Sequence, residues 1–214
     1  MLDTITWGNP SQKHLPFLED GKSFLDRLVP QLVKFTFPKN SSKATREELN
    51  ELVDNVKLLT EDPETLKRYR AYDASLTKVF ADMILQQQLG DRGIQLVDQL
   101  IDDTVPVIMK LKFHFQRPRP YQLAQYYKLK LFPFYSRSDQ SPSYPSGHAL
   151  QAKVICHVLG NHFPERFDYF ESLMQDIQNS RIYMGIHFPS DVEYANLVAE
   201  TIIRDKEFKQ KYQL

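Results

Sequence analysis

The sequence predicts an all-α fold, a helical bundle that forms a single domain. Apolar residues recur at helical spacing along most of the chain, whereas alternating β-branched runs are few and the 214 residues include only 7 glycines. The content of 42% hydrophobic and 25% charged residues is typical of a globular protein, and the chain is long enough to bury a substantial core. We therefore expect helices that pack around one hydrophobic core.

Capping signals place the first long helices. Thr45 and Glu48 have the spacing of a capping box, and Asp62-Pro63 gives a cap followed by proline at the first helical position. A third helix is expected to stop at Gly90. The apolar positions that define these three helices are Leu49, Leu52, Val53, Val56, Leu59, Leu76, Val79, Phe80, Met83 and Ile84.

The later helices are predicted from apolar spacing. One pattern runs from Ile94 to Leu111, where Pro106 must kink the helix or divide it in two. Residues 121–144 are expected to form a loop or short helical pieces. Further helical patterns begin after Gly147, near Glu165 and near Asp191.

Proline content divides the chain into two expected parts. Residues 1–42 contain four prolines and are expected to form an irregular, short-helical segment packed on the core. Residues 43–214 carry the regular helical patterns and are expected to form the main α-helical domain.

Charge, cysteine content and hydropathy narrow the classes of function. The 27 basic and 27 acidic residues balance to a formal net charge of zero, which argues against nucleic-acid binding because proteins that track phosphates usually carry a basic surplus. Cys156 is the single cysteine, so no intrachain disulfide forms. Neither a secretory signal nor an apolar run of 18 residues is recognisable. We expect a soluble, cytoplasmic protein without a membrane span, or a periplasmic one if a signal peptide has been removed.

The first of three motifs with chemical meaning runs from Lys112 to Pro120. Arg117 and Arg119 each precede a proline, which favours extended backbone, so the helix that carries Lys112 should end near Gln116. Three cations with no acid among them suit an anionic ligand. The alternative is that they complement the helix dipole and face water.

The second motif is Tyr144-Pro145-Ser146-Gly147-His148, at the start of a predicted helix. Glycine at a helix start lets an anion approach the free backbone N–H groups, and Ser146 adds a hydroxyl donor. His148 can donate a proton near neutral pH. The alternative is a serine-capped helix with a surface histidine.

The third motif runs from Ser180 and Arg181 to His187 and Asp191. Since His187 and Asp191 are four residues apart, the carboxylate can accept the Nδ1–H of the imidazole and leave Nε2 as a nucleophile or base. The alternative is a buried histidine beside an aspartate that begins a helix.

Together the three motifs supply what phosphoryl transfer without a metal requires. The cations and the helix start bind the phosphate, one histidine attacks, and the second histidine protonates the leaving oxygen. The sequence shows neither a zinc-ligand spacing nor an acidic cluster typical of a two-metal site. The joint occurrence of the motifs favours a functional interpretation over three separate structural ones.

Three segments, in this order, resemble the signature motifs of the type 2 phosphatidic acid phosphatase (PAP2) superfamily: Lys112-x6-Arg119-Pro120, Pro145-Ser146-Gly147-His148 and Ser180-Arg181-x5-His187-x3-Asp191. That superfamily contains class A nonspecific acid phosphatases, membrane lipid phosphatases and vanadium-dependent haloperoxidases. The resemblance implies a fold of the acid phosphatase/vanadium-dependent haloperoxidase type, with residues 43–214 as a PAP2-like α-helical catalytic domain. Lys110 and Arg117 also satisfy the first motif. The register of Lys112 and Arg119 is preferred because the family often carries a further arginine two residues before the motif arginine.

The resemblance also implies a role for each motif residue. His187 is the nucleophile that forms a phosphohistidine, Asp191 orients it, and His148 is the general acid for the leaving alcohol. The phosphate oxygens are held by Lys112, Arg119, Ser146, the Gly147 N–H and Arg181, with Arg117 as an additional contact. No metal and no other cofactor takes part in this mechanism.

Length and the lack of predicted spans favour a compact, acid phosphatase-like enzyme that hydrolyses small phosphate monoesters. The resemblance implies dimers or larger assemblies, so a homodimer is one expected state. Two alternatives stay open: a vanadate-dependent haloperoxidase, in which vanadate is a cofactor and not an inhibitor, and a non-catalytic phosphate-binding or anion-binding module. Five aromatic residues either wall the substrate pocket or make core or dimer contacts: Tyr126, Tyr127, Phe132, Phe134 and Tyr135.

Overall fold

The protein, seen here as a computed structural model that describes residues 2–214, consists of helices and connecting loops, and this described part contains no strand. The all-α prediction is confirmed; Met1 lies outside the described residues. The α-helices are α1 (Leu15–Leu18), α2 (Val29–Leu32), α3 (Lys43–Thr60), α4 (Pro63–Ala74), α5 (Leu76–Gln86), α6 (Gly90–Phe115), α7 (Pro120–Ala124), α8 (Gly147–His162), α9 (Phe167–Tyr183), α10 (Pro189–Arg204) and α11 (Lys206–Tyr212). Short 3-10 helices cover Leu2–Thr4, Phe24–Leu28, Gln125–Tyr127 and Pro164–Arg166.

The start of α3 differs from the prediction and the start of α4 matches it. Ser42 caps α3, because its side chain accepts a hydrogen bond from the Thr45 N–H at 3.1 Å. The predicted cap, Thr45, lies inside the first turn, where its hydroxyl donates to the carbonyl oxygen of Lys39 at 2.9 Å. Asp62 caps α4 and Pro63 is its first residue, as predicted.

The longest helix, α6, carries one side of the candidate site to the end of the bundle. Pro106 lies inside α6 without dividing it. The helix ends at Phe115, and Gln116 adopts a left-handed conformation with φ of 51°, which agrees with the end predicted from the two X-Pro steps. Gly90, expected to stop α5, begins α6 instead, since α5 already ends at Gln86.

The core is centred on α8, which packs against α9, α10 and α6. This helix is apolar on nearly all sides, as expected of a helix surrounded by others. The N-terminal segment joins the same core through Leu25, Leu28 and Leu32. Among residues 2–214, no helix combines the length and the apolar character needed to cross a bilayer. The fully buried residues of α8 include Ala149, Leu150, Ala152, Val154, Ile155, Val158 and Leu159.

Candidate active site

The three sequence motifs meet where the C-terminal ends of α6 and α9 approach the N-terminal ends of α8 and α10. A cavity of about 410 Å³ opens there, and motif residues from three different segments line it. Lys112 comes from α6, Gly147 and His148 from the start of α8, and His187 from the loop before α10. Segments separated by 75 positions between Lys112 and His187 therefore contribute to one site.

The surroundings of His187 fix its tautomer. The imidazole is buried, with Nδ1 at 3.2 Å from Asp191 Oδ2 and Nε2 at 2.9 Å from Arg119 Nη1. A carboxylate only accepts and a guanidinium only donates, so Nδ1 carries the hydrogen and Nε2 carries the lone pair. Burial, and then the charge of Arg119, hold the pKa of His187 well below its ordinary value. A neutral imidazole with a defined lone pair is suited to act as a nucleophile or base.

The carboxylate of Asp191 is fully buried and fully hydrogen-bonded. Its Oδ2 accepts from His187, from the Phe188 N–H at 2.9 Å and from the Ser143 hydroxyl. Its Oδ1 accepts from Arg117 Nη1 at 2.6 Å. Burial by itself raises the pKa of Asp191, but Arg117 and the hydrogen bonds outweigh it and hold that pKa below its ordinary value. The group is therefore an anion that orients His187.

Arg117 does not reach the cavity, in contrast to its predicted role as an additional phosphate contact. Besides Asp191, its guanidinium binds Ser190 Oγ at 2.8 Å and Glu48 Oε2 at 3.1 Å. It also stacks on the Phe188 ring, with 3.9 Å from Cζ to the ring centroid. These partners hold Arg117 behind Asp191, so it is a structural partner of that carboxylate. Sequence reasoning missed Glu48, which also accepts from the Ser190 N–H at 2.7 Å.

Lys112 and Arg119 are buried basic side chains beside His187. Lys112 Nζ donates to the carbonyl oxygen of Pro142 at 2.5 Å, and burial, followed by the charge of Arg119, lowers the pKa of Lys112 well below its ordinary value. Arg119 donates to the carbonyl oxygens of Ser141 at 2.9 Å and Ile186 at 2.8 Å. Burial lowers the pKa of Arg119 to about 10, so its guanidinium stays protonated at neutral pH.

Lys110 and Arg117, the alternative pair for the first motif, bind carboxylates outside the cavity. Lys110 Nζ lies 2.8 Å from Asp26 Oδ2, and Arg117 faces Asp191. Neither residue lines the cavity; Arg119 does not line it either, but it reaches the site through its hydrogen bond to His187 Nε2.

Arg181 is buried, and only one of its three guanidinium nitrogens has hydrogen-bond partners in the described part of the chain. Its Nη2 donates to Asp73 Oδ1 and to Ser138 Oγ, each at 2.8 Å. Its Nε and Nη1 are buried and have no hydrogen-bond partner among residues 2–214. Buried donors are almost always paired in native proteins, so these two donors indicate a place for an acceptor. Burial lowers the pKa of Arg181, against the opposing charge of Asp73.

Asp73, at the end of α4, is a site residue that sequence reasoning missed. Its carboxylate accepts from Ser136 Oγ at 2.6 Å, Ser138 Oγ at 2.7 Å, the Arg137 N–H at 2.7 Å and Arg181. It therefore ties the loop 136–138 to the guanidinium of Arg181. A single acid near a helix end gives no signal of this role, since its partners lie more than 60 positions away.

The start of α8 presents polar groups next to the cavity. Ser146 Oγ is buried and has no partner within the described part of the chain. A Cβ at Gly147 would lie 3.3 Å from Ile108 Cγ2, so glycine keeps this turn closely packed on α6. His148 is partly buried, lines the cavity, and makes no side-chain hydrogen bond to residues 2–214. Burial, followed by the charge of Arg181, holds the pKa of His148 well below its ordinary value.

None of the five aromatic residues that were expected either to wall the pocket or to make core or dimer contacts lines the cavity. Tyr126, Phe132 and Tyr135 are exposed, Tyr127 donates to the carbonyl oxygen of Asn40, and Phe134 packs against the core. The apolar side of the cavity comes instead from Phe17, Val105, Ile108 and Met109.

Comparison with known proteins gives a family match and a similar fold. The model of the PAP2 superfamily matches residues 100–204, which include all three motifs. No curated protein sequence is significantly similar to the chain. Among solved structures, the fold is similar to the crystal structure of a transmembrane PAP2 type phosphatidylglycerolphosphate phosphatase from Bacillus subtilis, with a TM-score of 0.54, 19% sequence identity, and coverage of 87% of this chain and 94% of that chain.

Proposed function

The chain belongs to the PAP2 superfamily, and we propose that it is a phosphatase that hydrolyses phosphate monoesters through a phosphohistidine formed on His187. The observation that carries this proposal is the orientation of His187, which lines the cavity together with Lys112 and His148 and whose bonds to Asp191 and Arg119 leave the lone pair on Nε2. The cavity of about 410 Å³ is of a size that accepts a small phosphate ester.

In this proposal the phosphate oxygens are bound by Lys112, Arg119, Arg181, Ser146 Oγ and the Gly147 N–H. The unpaired donors of Arg181 and Ser146 support this assignment, because a phosphate oxygen would satisfy them. Preorganised donors of this kind stabilise the charge of the transferring phosphoryl group. The hydrogen bond between Arg119 and His187 favours this register of the first motif, since Lys110 pairs with Asp26 and Arg117 with Asp191 instead.

Binding of the phosphate also frees the nucleophile. In the structure, Arg119 Nη1 donates to the Nε2 lone pair of His187 at 2.9 Å. A phosphate oxygen is a stronger, charged acceptor for the same donor. Transfer of the Arg119 hydrogen bond to the phosphate would expose the lone pair at the moment when phosphorus lies in front of it.

His187 Nε2 then forms a bond to phosphorus while the bond from phosphorus to the ester oxygen breaks. Asp191, held by Arg117 and Ser143, stabilises the positive charge that develops on the imidazole. His148 gives its proton to the leaving oxygen. The dianionic phosphate beside His148 favours the protonated form that this step needs. His148 next removes a proton from water, which attacks phosphorus, breaks the P–N bond and releases inorganic phosphate.

Buried cations would take the place of a metal ion in this mechanism. Among residues 2–214, no group of three or more His, Cys, Asp or Glu side chains is placed to hold a metal. We assign the catalytic domain to residues 43–214, which carry every proposed catalytic and phosphate-binding residue. The N-terminal segment adds Lys13, His14 and Phe17 to the cavity wall.

Hydrolysis of p-nitrophenyl phosphate with EDTA present, and with or without orthovanadate, tests the proposal. Turnover should survive EDTA and be blocked by vanadate, and His187→Ala should abolish it. His148→Ala should impair esters with poor leaving groups most, because those need a proton most. His157→Ala is the matched control, since His157 lies on the same helix but does not line the cavity.

Near-normal turnover in the His187→Ala variant would refute the proposal. Folded wild-type protein that hydrolyses no ester but oxidises halide after loading with vanadate and peroxide would instead identify a haloperoxidase.

A further inference from the structure

The segment of residues 128–137, which we call the aromatic–basic loop, exposes aromatic and cationic side chains together. Phe132 and Tyr135 are 74% and 78% exposed, the two highest values among the large hydrophobic residues of positions 2–214. Lys128, Lys130 and Arg137 are exposed as well. Large apolar side chains with this exposure are unfavourable in water unless another surface covers them.

This exposure belongs to a loop that is held in place. Leu131 is buried in a cluster with Leu49 and Leu52 of α3. The Phe134 N–H donates to the carbonyl oxygen of Met184 at 3.0 Å, and Ser136 Oγ donates to Asp73 at 2.6 Å. The side chains of Phe132 and Tyr135 therefore project outward from a backbone that the core anchors.

The charge of the loop has one sign. The sequence between Asp103 and Asp139 contains seven Lys and Arg residues and no Asp or Glu. Lys128, Lys130 and Arg137 form no ion pair among residues 2–214. A complementary partner must therefore be anionic, and it must also accept two protruding aromatic rings.

The loop leads directly to the mouth of the cavity. The side chain of Arg137 lines the cavity, and its Cα lies within about 7 Å of that of Tyr135, because two extended residues span no more. A second segment with exposed apolar groups borders the same cavity. There Lys13 and Phe17 line it, and Leu15 is half exposed.

We propose that the aromatic–basic loop binds the surface of a bilayer that contains anionic phospholipid, and that the protein attaches there without spanning the membrane. Aromatic rings favour the headgroup level of a bilayer, and basic residues next to them are attracted by anionic lipids. The rings protrude and line neither the candidate active-site cavity nor four further cavities, which suits insertion into an interface better than enclosure of a peptide. This surface does not depend on the proposed phosphatase activity.

Co-sedimentation of the full chain with vesicles tests the proposal. Wild type should pellet with vesicles of equal parts phosphatidylglycerol and phosphatidylcholine, and much less with phosphatidylcholine alone. Lys128→Ala/Lys130→Ala should weaken partitioning to the mixed vesicles about 25-fold, at roughly fivefold for each lysine near an anionic surface. Phe132→Ala/Tyr135→Ala should weaken partitioning to the mixed vesicles roughly tenfold at any salt concentration. Salt at about 0.5 M, roughly threefold the physiological ionic strength, should remove only the part of the binding that depends on the two lysines.

Matched controls separate this surface from general stickiness. Phe167→Ala/Tyr169→Ala removes two exposed aromatic residues at the start of α9, about 20 Å along the helix from Arg181. Lys57→Ala/Lys67→Ala removes two exposed lysines of α3 and α4. Both controls should bind vesicles like wild type, and all variants should hydrolyse a soluble ester such as p-nitrophenyl phosphate at the wild-type rate.

The proposal is overturned if wild type stays in the supernatant with both kinds of vesicle, or if the loop variants and the controls lose binding equally. It is also overturned if wild type sediments as a dimer that Phe132→Ala/Tyr135→Ala converts to a monomer, since the loop is then a contact between copies of this chain. If the wild type binds vesicles but hydrolyses no ester, the proposed activity is refuted and the proposed membrane-binding surface is not.

Discussion

Replacement of Arg117 by alanine should mainly lower the free energy of unfolding, because Arg117 is the cationic partner of Asp191. The variant leaves the carboxylate of Asp191 fully buried, and that of Glu48 largely buried, without their cation. Removal of one partner from a buried ion pair costs about 3–5 kcal/mol. For a chain of this length that loss lowers Tm by roughly 6–20 °C. The lost contact with the Phe188 ring adds to the effect.

Urea denaturation of a double-mutant cycle measures this coupling. Arg117→Ala should cost much less in the background of Asp191→Asn, because the neutral amide has no charge to compensate, and a coupling free energy of at least about 1 kcal/mol is expected. Arg70→Ala, at an exposed position, is the control and should change stability by less than about 0.5 kcal/mol. Arg117→Lys keeps a charge and serves if the alanine variant does not fold.

The opposite result would refute the reasoning. If Arg117→Ala unfolds within about 1 kcal/mol of wild type, and its main effect is about tenfold weaker binding of inorganic phosphate, then Arg117 is an anion contact. Asp191 would in that case not depend on Arg117 for its charge.

Two further predictions concern Asp73 and the histidines. Asp73→Asn should weaken the binding of inorganic phosphate about tenfold, because Arg181 loses the charged acceptor that positions it; calorimetric titration checks this, and unchanged affinity would contradict it. The free energy of unfolding should fall as pH drops from 7 to 5. In the folded protein the pKa values of His148 and His187 are held below the value in the unfolded chain, which is about 6.5. The unfolded state therefore binds more protons in this pH window. The slope of unfolding free energy against pH reaches at most about 1.4 kcal/mol per pH unit for each histidine. Denaturation at pH 5, 6 and 7 should show a smaller slope for His148→Gln than for wild type. An unchanged slope in that variant would argue against the low pKa of His148.

Local patterns in the sequence were sufficient for most of the helices and for the pairing of His187 with Asp191. The end of α6 follows from two consecutive X-Pro steps, which act on the backbone wherever they occur. The pairing of His187 with Asp191 follows from a spacing of four residues across a helix start. The cap of α3 was misplaced by one turn because Ser42 and Thr45 are both good caps, and only the hydrogen bond from Thr45 N–H to Ser42 distinguishes them.

Contacts between distant segments could not be predicted from one sequence. Arg117 and Arg119 both precede proline and look alike locally, but the structure directs one to Asp191 and the other to His187. Asp73 meets Arg181 across 108 positions, and no periodicity reports such a contact. The aromatic residues of the 121–144 segment left a pocket wall and core or dimer contacts both open, because hydrophobicity alone does not say which surface a loop residue faces.

Trapping of the covalent intermediate is the most direct test of the central claim, that His187 attacks phosphorus through Nε2. Enzyme mixed with a phosphate ester is quenched in base during turnover, digested, and examined by mass spectrometry and phosphorus NMR. We expect one phosphoryl group on the peptide that contains His187, bonded to Nε2, present in His157→Ala and absent in His187→Ala. A phosphoryl group on another residue, or turnover that persists in His187→Ala, would contradict this claim.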